Sequence, residues 1–443
     1  MTKCYRVLFE SFDKNNPGEV LSRSTVLEGT IEKPTNCLNF SMGLKNQIEL
    51  IKTVQDNVII EKTNLVCEEI KKCPKCEVKL TKIGSHTSNF HDVLTDHTVE
   101  IKRLKCRKCG YETPSTVRGI IDTNLSGELK KIQSQLGSTH SYRECEEIFD
   151  QFSHESRRIS NHDRIKQVTE SVGSAVDEIN KAEKEIIAIE PASELILNVD
   201  GGHLKTRDKD KQSMEAMISV VYKPESIQSN DNGTRNSITS KHCAASIKDD
   251  DQQQIISGTI IAALKQGLTQ KTNVTALCDG AKNCWNVVEA IRPLCGQMTC
   301  ILDWFHLAMK IQNISLPPAL KDKLIRIKWH LWRGKVDNAL IRLDQLLELA
   351  KSEKDILKIE KFKNYIKNNM DKIVDYRARQ KMGLVFTSNM AESTVESLIN
   401  QRCKGQQHMR WSREGLNPVL QLRAAIQSND WKNKWQTAVL NAA

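Results

Sequence analysis

The stretch Glu194-Leu-Ile-Leu-Asn-Val-Asp200-Gly-Gly202 best predicts the fold. It is typical of a short apolar β-strand that ends at an acidic residue, and Asn273-Val-Thr-Ala-Leu-Cys-Asp279 repeats this pattern downstream. A third acid, Glu392, lies in Thr387-Ser-Asn-Met-Ala-Glu392-Ser-Thr-Val, a segment with a helical pattern. Two carboxylates at strand ends and one on a later helix can converge in a folded α/β domain.

Convergence of Asp200, Asp279 and Glu392 would create a site for hard divalent cations, because Mg²⁺ takes oxygen ligands. Two such ions can clamp the attacking and leaving oxygens of a phosphodiester. The pattern therefore indicates metal-dependent hydrolysis or strand transfer on DNA, with Mg²⁺ or Mn²⁺ as the two ions. The alternative is that these residues are ordinary surface carboxylates, which is the usual role of an acid considered singly.

The region around these acids predicts a mixed sheet covered by helices. Residues 194–312 contain apolar runs with strand character, followed by alternating helix and strand, which favours an α/β domain. A polar stretch, 224–240, predicts a loop. Residues 315–385 are charged and strongly helical, so we expect a helical insertion between the sheet and the C-terminal segment 386–443, which bears Glu392.

Paired cysteines predict a zinc site upstream. Cys73-Pro-Lys-Cys76 and Cys106-Arg-Lys-Cys109 supply four thiolates at two knuckles, as tetrahedral Zn²⁺ requires. Apolar residues between the pairs suit a β-hairpin. We therefore predict a zinc ribbon over residues 66–120 that holds one structural Zn²⁺, since no ligand position is left open for water. Chance pairing of cysteines is the alternative.

The remaining N-terminal half predicts two further regions. Residues 1–65 carry short alternating stretches, including Val58-Ile-Ile-Glu, and indicate a partly β region of unknown role. Residues 125–190 are helical in pattern. Ser141 and Glu144 form a capping box, and Ser160 is the expected cap of the next helix. Three short helices favour a helix-turn-helix DNA reader and an ordinary bundle about equally.

Two smaller motifs lie near the predicted acids. Asp303-Trp-Phe-His306 directly follows an apolar strand, so its carboxylate and imidazole can both face the active end of the sheet. A helix cap with a structural histidine is the alternative. Glu396 shares a helical face with Glu392, although a metal needs only one of them.

Charge and hydropathy limit the classes of partner. The 443 residues contain 65 Lys and Arg against 55 Asp and Glu, a net charge of +10, which is compatible with a polyanion. Basic clusters at 101–118 and 401–413 suit phosphate contacts, and Trp411 could stack on a base or be buried. The candidate DNA-binding residues are Arg107, Lys108, Arg402, Lys404, Arg410 and Trp411. Without a signal peptide or an apolar membrane span, we expect a cytoplasmic protein whose 14 cysteines are thiols or metal ligands.

Four segments together resemble bacterial DDE transposases of the Kra-type insertion sequences, which are related to the Mutator superfamily. They are Asn198-Val-Asp-Gly-Gly, Cys278-Asp-Gly-Ala-Lys-Asn-Cys-Trp285, Ile301-Leu-Asp-Trp-Phe-His306 and Met409-Arg-Trp-Ser. The resemblance extends over most of residues 66–435. It implies an RNase H-like catalytic domain with a helical insertion, preceded by a zinc ribbon and a helix-turn-helix. In that family the catalytic Glu lies ten residues before the Arg of a Gln-Arg pair. Glu392 has this spacing to Arg402 and Glu396 does not, so the resemblance implies Glu392.

The resemblance implies a transposase that binds the terminal inverted repeats of its element, cleaves the ends and joins them to target DNA. Asp200, Asp279 and Glu392 would hold the metal ions, while Asp303 and His306 would order the site. The implied partner is double-stranded DNA, bound by a homodimer or higher homo-oligomer and associated with the bacterial nucleoid. The alternatives are a non-catalytic, domesticated DNA-binding protein and a nuclease without strand transfer.

Overall fold

A computed structural model describes residues 3–153, 157–183, 190–209, 211–229, 236–248, 250–404 and 409–442. The chain divides into two compact units, Met1–Thr169 and Glu170–Ala443. Among the described residues, none of the helices combines the length and the apolar character needed to cross a bilayer.

The first unit begins with a β-hairpin followed by a long helix. Strands β1 (Lys3–Asp13) and β2 (Asn16–Ile31) pair antiparallel, and helix α1 spans Leu44–Glu69. The expected β content is therefore present only before residue 32. The prediction for Val58-Ile-Ile-Glu was wrong, because this segment lies inside α1. A short apolar run fits the period of a helix as well as that of a strand. Helix α1 also crosses the predicted domain boundary at residue 65.

The cysteine pairs flank a second hairpin, as the sequence predicts. Strand β3 (Thr81–His91) pairs antiparallel with β4 (Asp96–Lys105), and Val99 and Ile101 on β4 are buried. Helices α2 (Val117–Ile121), α3 (Gly127–Thr139) and α4 (Tyr142–Gln151) follow, and α5 (His162–Ala182) continues into the second unit. Leu129, Cys145, Phe149 and Ile165 form the core of this helical region.

One of the two predicted helix N-caps is present in the structure. Ser141 accepts from the backbone N–H of Glu144, whose carboxylate accepts in return from the N–H of Ser141, so the capping box is present. Ser160 is instead buried at the end of a short 3₁₀ turn. Asn161 is the residue whose side chain accepts from the N–H of Arg164 at 2.9 Å, because its oxygen reaches the first turn of α5.

The second unit is built on a mixed five-stranded sheet. Its strands are β5 (Glu194–Lys205), β6 (Ser213–Tyr222), β9 (His242–Ser246), β10 (Asn273–Cys278) and β11 (Gln297–Leu302). Their spatial order is β11-β10-β5-β6-β9, with β11, β10 and β5 parallel. The predicted loop 224–240 contains a short hairpin of β7 (Ile227–Ser229) and β8 (Asn236–Ile238), and residues 230–235 lie outside the described residues.

Helices cover both faces of this sheet. Helices α6 (Gln253–Lys265) and α7 (Lys282–Ile291) pack on the face that contains Leu195, Leu197 and Val199. The opposite face contains Ile196 and Leu277 and is covered by helices that come later in the chain. These are α8 (Trp304–Asn313), α9 (Pro318–Trp332), α10 (Val336–Leu349), α11 (Glu353–Asn368), α12 (Tyr376–Lys381), α13 (Asn389–Val395), α14 (Gln401–Cys403) and α15 (Arg413–Gln427). Helix α16 (Trp431–Asn441) follows α15, and its Lys434 contacts Glu183. The helical insertion predicted over 315–385 is thus present as α9 to α12.

Strand register aligns three acids along one edge. Cys278 pairs with Val199 on one side and with Leu302 on the other, so Asp279 and Asp303 each follow the last pair beside Asp200. The sequence predicted that Asp200 ends its strand, and this was wrong. Strand β5 continues past Asp200 to Lys205 in an antiparallel ladder with β6. The side chain of Asp200 shares the face of Ile196 by alternation.

Candidate functional site

Asp200, His306 and Glu392 converge on one point. Each offers one ligand atom, and these three atoms all lie within 4.8 Å of one another. Asp200 comes from the interior of β5, His306 from the first turn of α8 and Glu392 from the first turn of α13. Two carboxylates and an imidazole are a donor set that could hold a metal ion.

A buried carboxylate orients the imidazole of this group. Asp303 is fully buried and contacts His306 Nδ1 through Oδ2 at 2.7 Å. The Nε2 atom of His306 then lies 3.9 Å from Asp200 Oδ1. A carboxylate on one ring nitrogen fixes the tautomer and directs the other nitrogen to a ligand, as around protein-bound metals. Asp303 also caps α8 by accepting from the N–H of Phe305, so the cap that the sequence offered as the alternative is present together with the contact to His306.

Ser388 holds the same carboxylate from the far end of the helical insertion. Its backbone N–H donates to Asp303 Oδ1 at 2.8 Å, and its hydroxyl donates to Oδ2 at 2.6 Å. Burial alone would raise the pKa of Asp303, but the hydrogen bonds from His306 and Ser388 outweigh it and lower this pKa. Asp303 is therefore an ionised anchor for His306.

The three converging side chains have perturbed protonation equilibria. Burial raises the pKa of Asp200, and the charges of Asp279 and Asp303 add to this effect. Burial and the charge of Asp200 raise the pKa of Glu392. Burial favours neutral His306, yet its hydrogen bond to Asp303 and the charge of Asp200 raise its pKa to about 9. The site thus concentrates negative charge that a bound cation would stabilise.

Asp279 lies beside this group but outside the 4.8 Å cluster. Its Oδ1 accepts from the backbone N–H of Ala281 at 2.9 Å, and its carbonyl oxygen accepts from the hydroxyl of Tyr365 at 2.7 Å. Its charge still contributes to the raised pKa of Asp200. The structure therefore brings together Asp200 and Glu392, two of the three predicted metal-binding acids, with His306, which was also predicted to lie at the site.

The two glutamates of the α13 region differ in their surroundings. Glu392 belongs to the converging group. Glu396, one helical turn later, begins a π-helical segment, Glu396–Asn400, and its carboxylate accepts a hydrogen bond from Asn400. The backbone thus directs only Glu392 to the sheet edge that bears Asp200.

The first unit contains a separate cluster of four thiols. Sγ–Sγ distances are 3.4 Å for Cys73 with Cys109, 3.4 Å for Cys76 with Cys106 and 3.7 Å for Cys76 with Cys109. The backbone N–H of Cys109 is the main cause that lowers the pKa of Cys106 to about 6. These four residues could hold a metal ion, and thiolates in this arrangement suit zinc.

Two of the six candidate DNA-binding residues, Arg402 and Trp411, are buried. Arg402 is fully buried and its guanidinium lies 4.8 Å from the ring centroid of Trp411, which is itself buried. Both residues therefore pack inside the second unit, where they cannot contact a DNA backbone or base. A motif in sequence does not distinguish an exposed basic-aromatic pair from a buried cation-π pair.

The other four candidates are accessible. Arg107, Lys108 and Arg410 are exposed, and Lys404 is half-buried. A Cβ atom added at Gly202 would lie 3.3 Å from Lys404 Nζ, so this ammonium lies over β5 close to Asp200. Lys404 is thus positioned to meet an anion that enters the acidic site.

Two residues of the site had no signal in the sequence. Ser388 lies in the segment that suggested Glu392, but its hydrogen bonds to Asp303 depend on the tertiary fold. Tyr365, in the helical insertion, reaches the carbonyl of Asp279 across the site. No local spacing relates either residue to its partner.

Comparison with known proteins places the chain in one family. A family described as an uncharacterised protein family, UPF0236, matches residues 130–437, well over half of the chain. The matched region includes Asp200, His306 and Glu392 but not the four clustered cysteines. No curated protein matches the chain significantly. The protein therefore belongs to the uncharacterised protein family UPF0236.

Proposed function

We propose that this protein is a DDE-type transposase that cleaves DNA at terminal inverted repeats and joins the ends to target DNA. The observation that carries the proposal is the convergence of Asp200, Glu392 and His306 at one edge of the sheet. Side chains from distant parts of the chain form this group, and a buried carboxylate orients one of them. Such an arrangement is typical of a site for chemistry rather than of a solvated surface.

The sheet supports an RNase H-like catalytic domain. Support comes from the order of the three acids, with Asp200 in β5, Asp279 after the adjacent parallel strand and Glu392 on a helix that follows the insertion. Asp279 would join the other two acids when its side chain leaves the N–H of Ala281, to which it is hydrogen-bonded. Its position beside Asp200 in the register makes this a local rearrangement.

In this proposal Asp200, Glu392 and Asp279 hold divalent cations, with His306 as a further ligand. Two bound Mg²⁺ ions would supply activation of the attacking water or 3′-hydroxyl and stabilisation of the leaving oxygen. Asp303 would keep the imidazole oriented through Nδ1, and His306 would hold a cation through Nε2 in its neutral form, after its Nε2 proton had passed to solvent. Lys404 stabilises the incoming phosphate by its charge.

DNA contacts outside the site would come from both units. Arg107 and Lys108 lie at the second cysteine knuckle, for which we propose Zn²⁺, and Arg410 is exposed in the second unit. Phosphate contacts of this kind provide affinity without reading sequence. The helices α3 to α5 would contribute to recognition of the ends.

The test compares Glu392→Gln with Glu396→Gln on a duplex that carries the inverted repeats flanking the coding region. An amide removes the charge that holds a cation, so Glu392→Gln and Asp200→Asn should lower Mg²⁺-dependent cleavage by at least about a hundredfold. Glu396→Gln is the matched control and should cleave like the wild type. DNA affinity should stay nearly constant in all three variants.

Other outcomes discriminate the alternatives. A wild-type protein that binds the ends but never cleaves them with Mg²⁺ or Mn²⁺ would be a DNA-binding protein, and the proposal would fail. Cleavage without joining of pre-cleaved 3′-hydroxyl ends to a target duplex would identify a nuclease.

A further inference from the structure

A basic pocket lies between α8 and the helical insertion. Its volume is about 390 Å³, and it is lined by residues of α8, the connection after it and α11. The lining comprises Lys310, Asn313, Ile314, Ser315, Lys358, Lys361, Phe362 and Tyr365. Three of these eight residues are lysines and none is acidic, so the pocket attracts an anion.

The lysines are arranged around an aromatic wall. Lys310 Nζ lies 4.1 Å from the ring centroid of Tyr365, and Lys361 is exposed on the adjacent helix. Lys358 Nζ donates to the carbonyl oxygen of Ser315 at 2.7 Å and lies 3.6 Å from Asp355. Lys358 is thus partly neutralised, and Lys310 and Lys361 carry most of the positive charge.

Two links connect this pocket to the acidic site. His306 and Lys310 are four residues apart on α8, so they share a face of the helix and are separated by about 6 Å along its axis. Tyr365, in the pocket wall, donates its hydroxyl to the carbonyl oxygen of Asp279. An anion in the pocket would therefore lie one helical turn from the converging side chains.

We propose that this pocket binds a backbone phosphate of the DNA strand, next to the phosphate that reacts. The proposal rests on the proposed function, because it identifies the anion as part of the same nucleic-acid substrate. Ammonium groups match a phosphate as point charges, and the amide of Asn313 can donate to it. The pocket fixes where the strand runs after it leaves the site.

The experiment measures binding of a 30-base-pair duplex by fluorescence anisotropy over a series of salt concentrations, in the Glu392→Gln background. The double variant Lys310→Ala/Lys361→Ala should bind about tenfold more weakly at low salt. Its slope of log affinity against log salt should become shallower by about one, as expected for one lost phosphate contact. Lys351→Ala/Lys367→Ala removes the same charge from exposed positions outside the pocket and is the matched control.

Two further variants separate charge from folding. Lys361→Ala alone leaves the Lys310–Tyr365 contact in place and should show part of the same effect. Lys310→Arg/Lys361→Arg should restore the wild-type slope. Equal affinities and slopes for the pocket double variant and the control would overturn the proposal, even if the wild-type protein cleaves DNA. Conversely, a pocket-specific loss of binding in a protein that never cleaves would support the phosphate site and refute only the proposed catalysis.

Discussion

At the scale of the residue, Asp303 organises the acidic site without joining the converging group itself. It is fully buried, caps α8, orients His306 and accepts two hydrogen bonds from Ser388. A buried carboxylate is stable only when its oxygens are paired in this way. Loss of one partner should therefore change both stability and the protonation of His306.

Removal of the Ser388 hydroxyl tests this arrangement. Ser388→Ala deletes one hydrogen bond to a charged acceptor, so the free energy of unfolding should fall by about 1.5–3 kcal/mol. The pKa of His306, followed by NMR titration of the metal-free protein, should change as well. Ser393→Ala in α13, the helix that begins directly after Ser388, is the control, because both Ser388–Asp303 bonds remain. An unchanged His306 titration in Ser388→Ala would contradict the link through Asp303.

The raised pKa of His306 predicts a pH dependence of stability. Its folded-state value of about 9 exceeds the ordinary 6.5, so folding favours the protonated ring. The resulting stabilisation is fully present below about pH 6.5 and is lost as the pH rises through 9, and it is on the order of 3 kcal/mol. Denaturant unfolding without metal should show that the wild-type protein loses more stability than His306→Gln between pH 6.5 and 9.5. Parallel pH profiles would refute this assignment.

Prediction from sequence at this scale worked where chemistry is local. Asp200 and Glu392 were identified from strand and helix patterns and from the family resemblance, and they do converge. Ser388 could not be found, because its partner is distant in sequence. Arg402 was predicted to contact DNA and is buried, and Trp411 follows the alternative of burial that the sequence left open, since a short motif carries no information on burial.

At the scale of the element, we expect the cysteine hairpin to depend on a metal ion held by its four thiols. Cys73→Ser should abolish the binding of about one zinc per chain, because three thiolates leave the tetrahedral shell incomplete. Cys37→Ser, which changes an exposed thiol, should keep full occupancy. Metal analysis of the purified proteins checks this, and zinc bound at the wild-type level in Cys73→Ser would contradict the ligand set.

The contact between α5 and α15 depends on a glycine. A Cβ atom at Gly173 would lie 2.3 Å from the carbonyl oxygen of Pro418, a backbone atom that cannot rotate away. Gly173→Ala should therefore lower the free energy of unfolding by about 1–3 kcal/mol, as overpacking does. Gly43→Ala introduces its methyl group into open space and serves as the control. Equal denaturation midpoints for the two variants would show that the helices can separate without cost.

Elements were predicted well where the apolar period was unambiguous. The sheet strands, the helical insertion and the cysteine hairpin occur where their patterns placed them. Helix α1 was missed over Val58-Ile-Ile-Glu because a short apolar run fits the period of a strand as well as that of a helix. The length of β5 was underestimated because its second half pairs with β6 beyond Asp200.

At the scale of the whole molecule, the two compact units have separate cores. A chelator that removes metal from the four thiols should therefore destabilise the first unit and leave the second nearly unchanged. Calorimetry of the full chain should show one transition shifted downward by several degrees and one unmoved. Both transitions shifting together would show that the units unfold cooperatively.

The helical insertion begins and ends at neighbouring points, because the residues that flank it are hydrogen-bonded to each other. Asp303 stands before it and Ser388 after it, and their hydrogen bonds close the loop at the sheet. The entropy of closing a loop grows only logarithmically with its length, by about 0.6 kcal/mol for each doubling. Because these hydrogen bonds lie at the base, residues added or removed at the outer turns leave Glu392 where it is relative to Asp303. The exposed turn at Lys351 and Ser352, between α10 and α11, is therefore a place where residues could be added while the site at the base of the insertion stays in place.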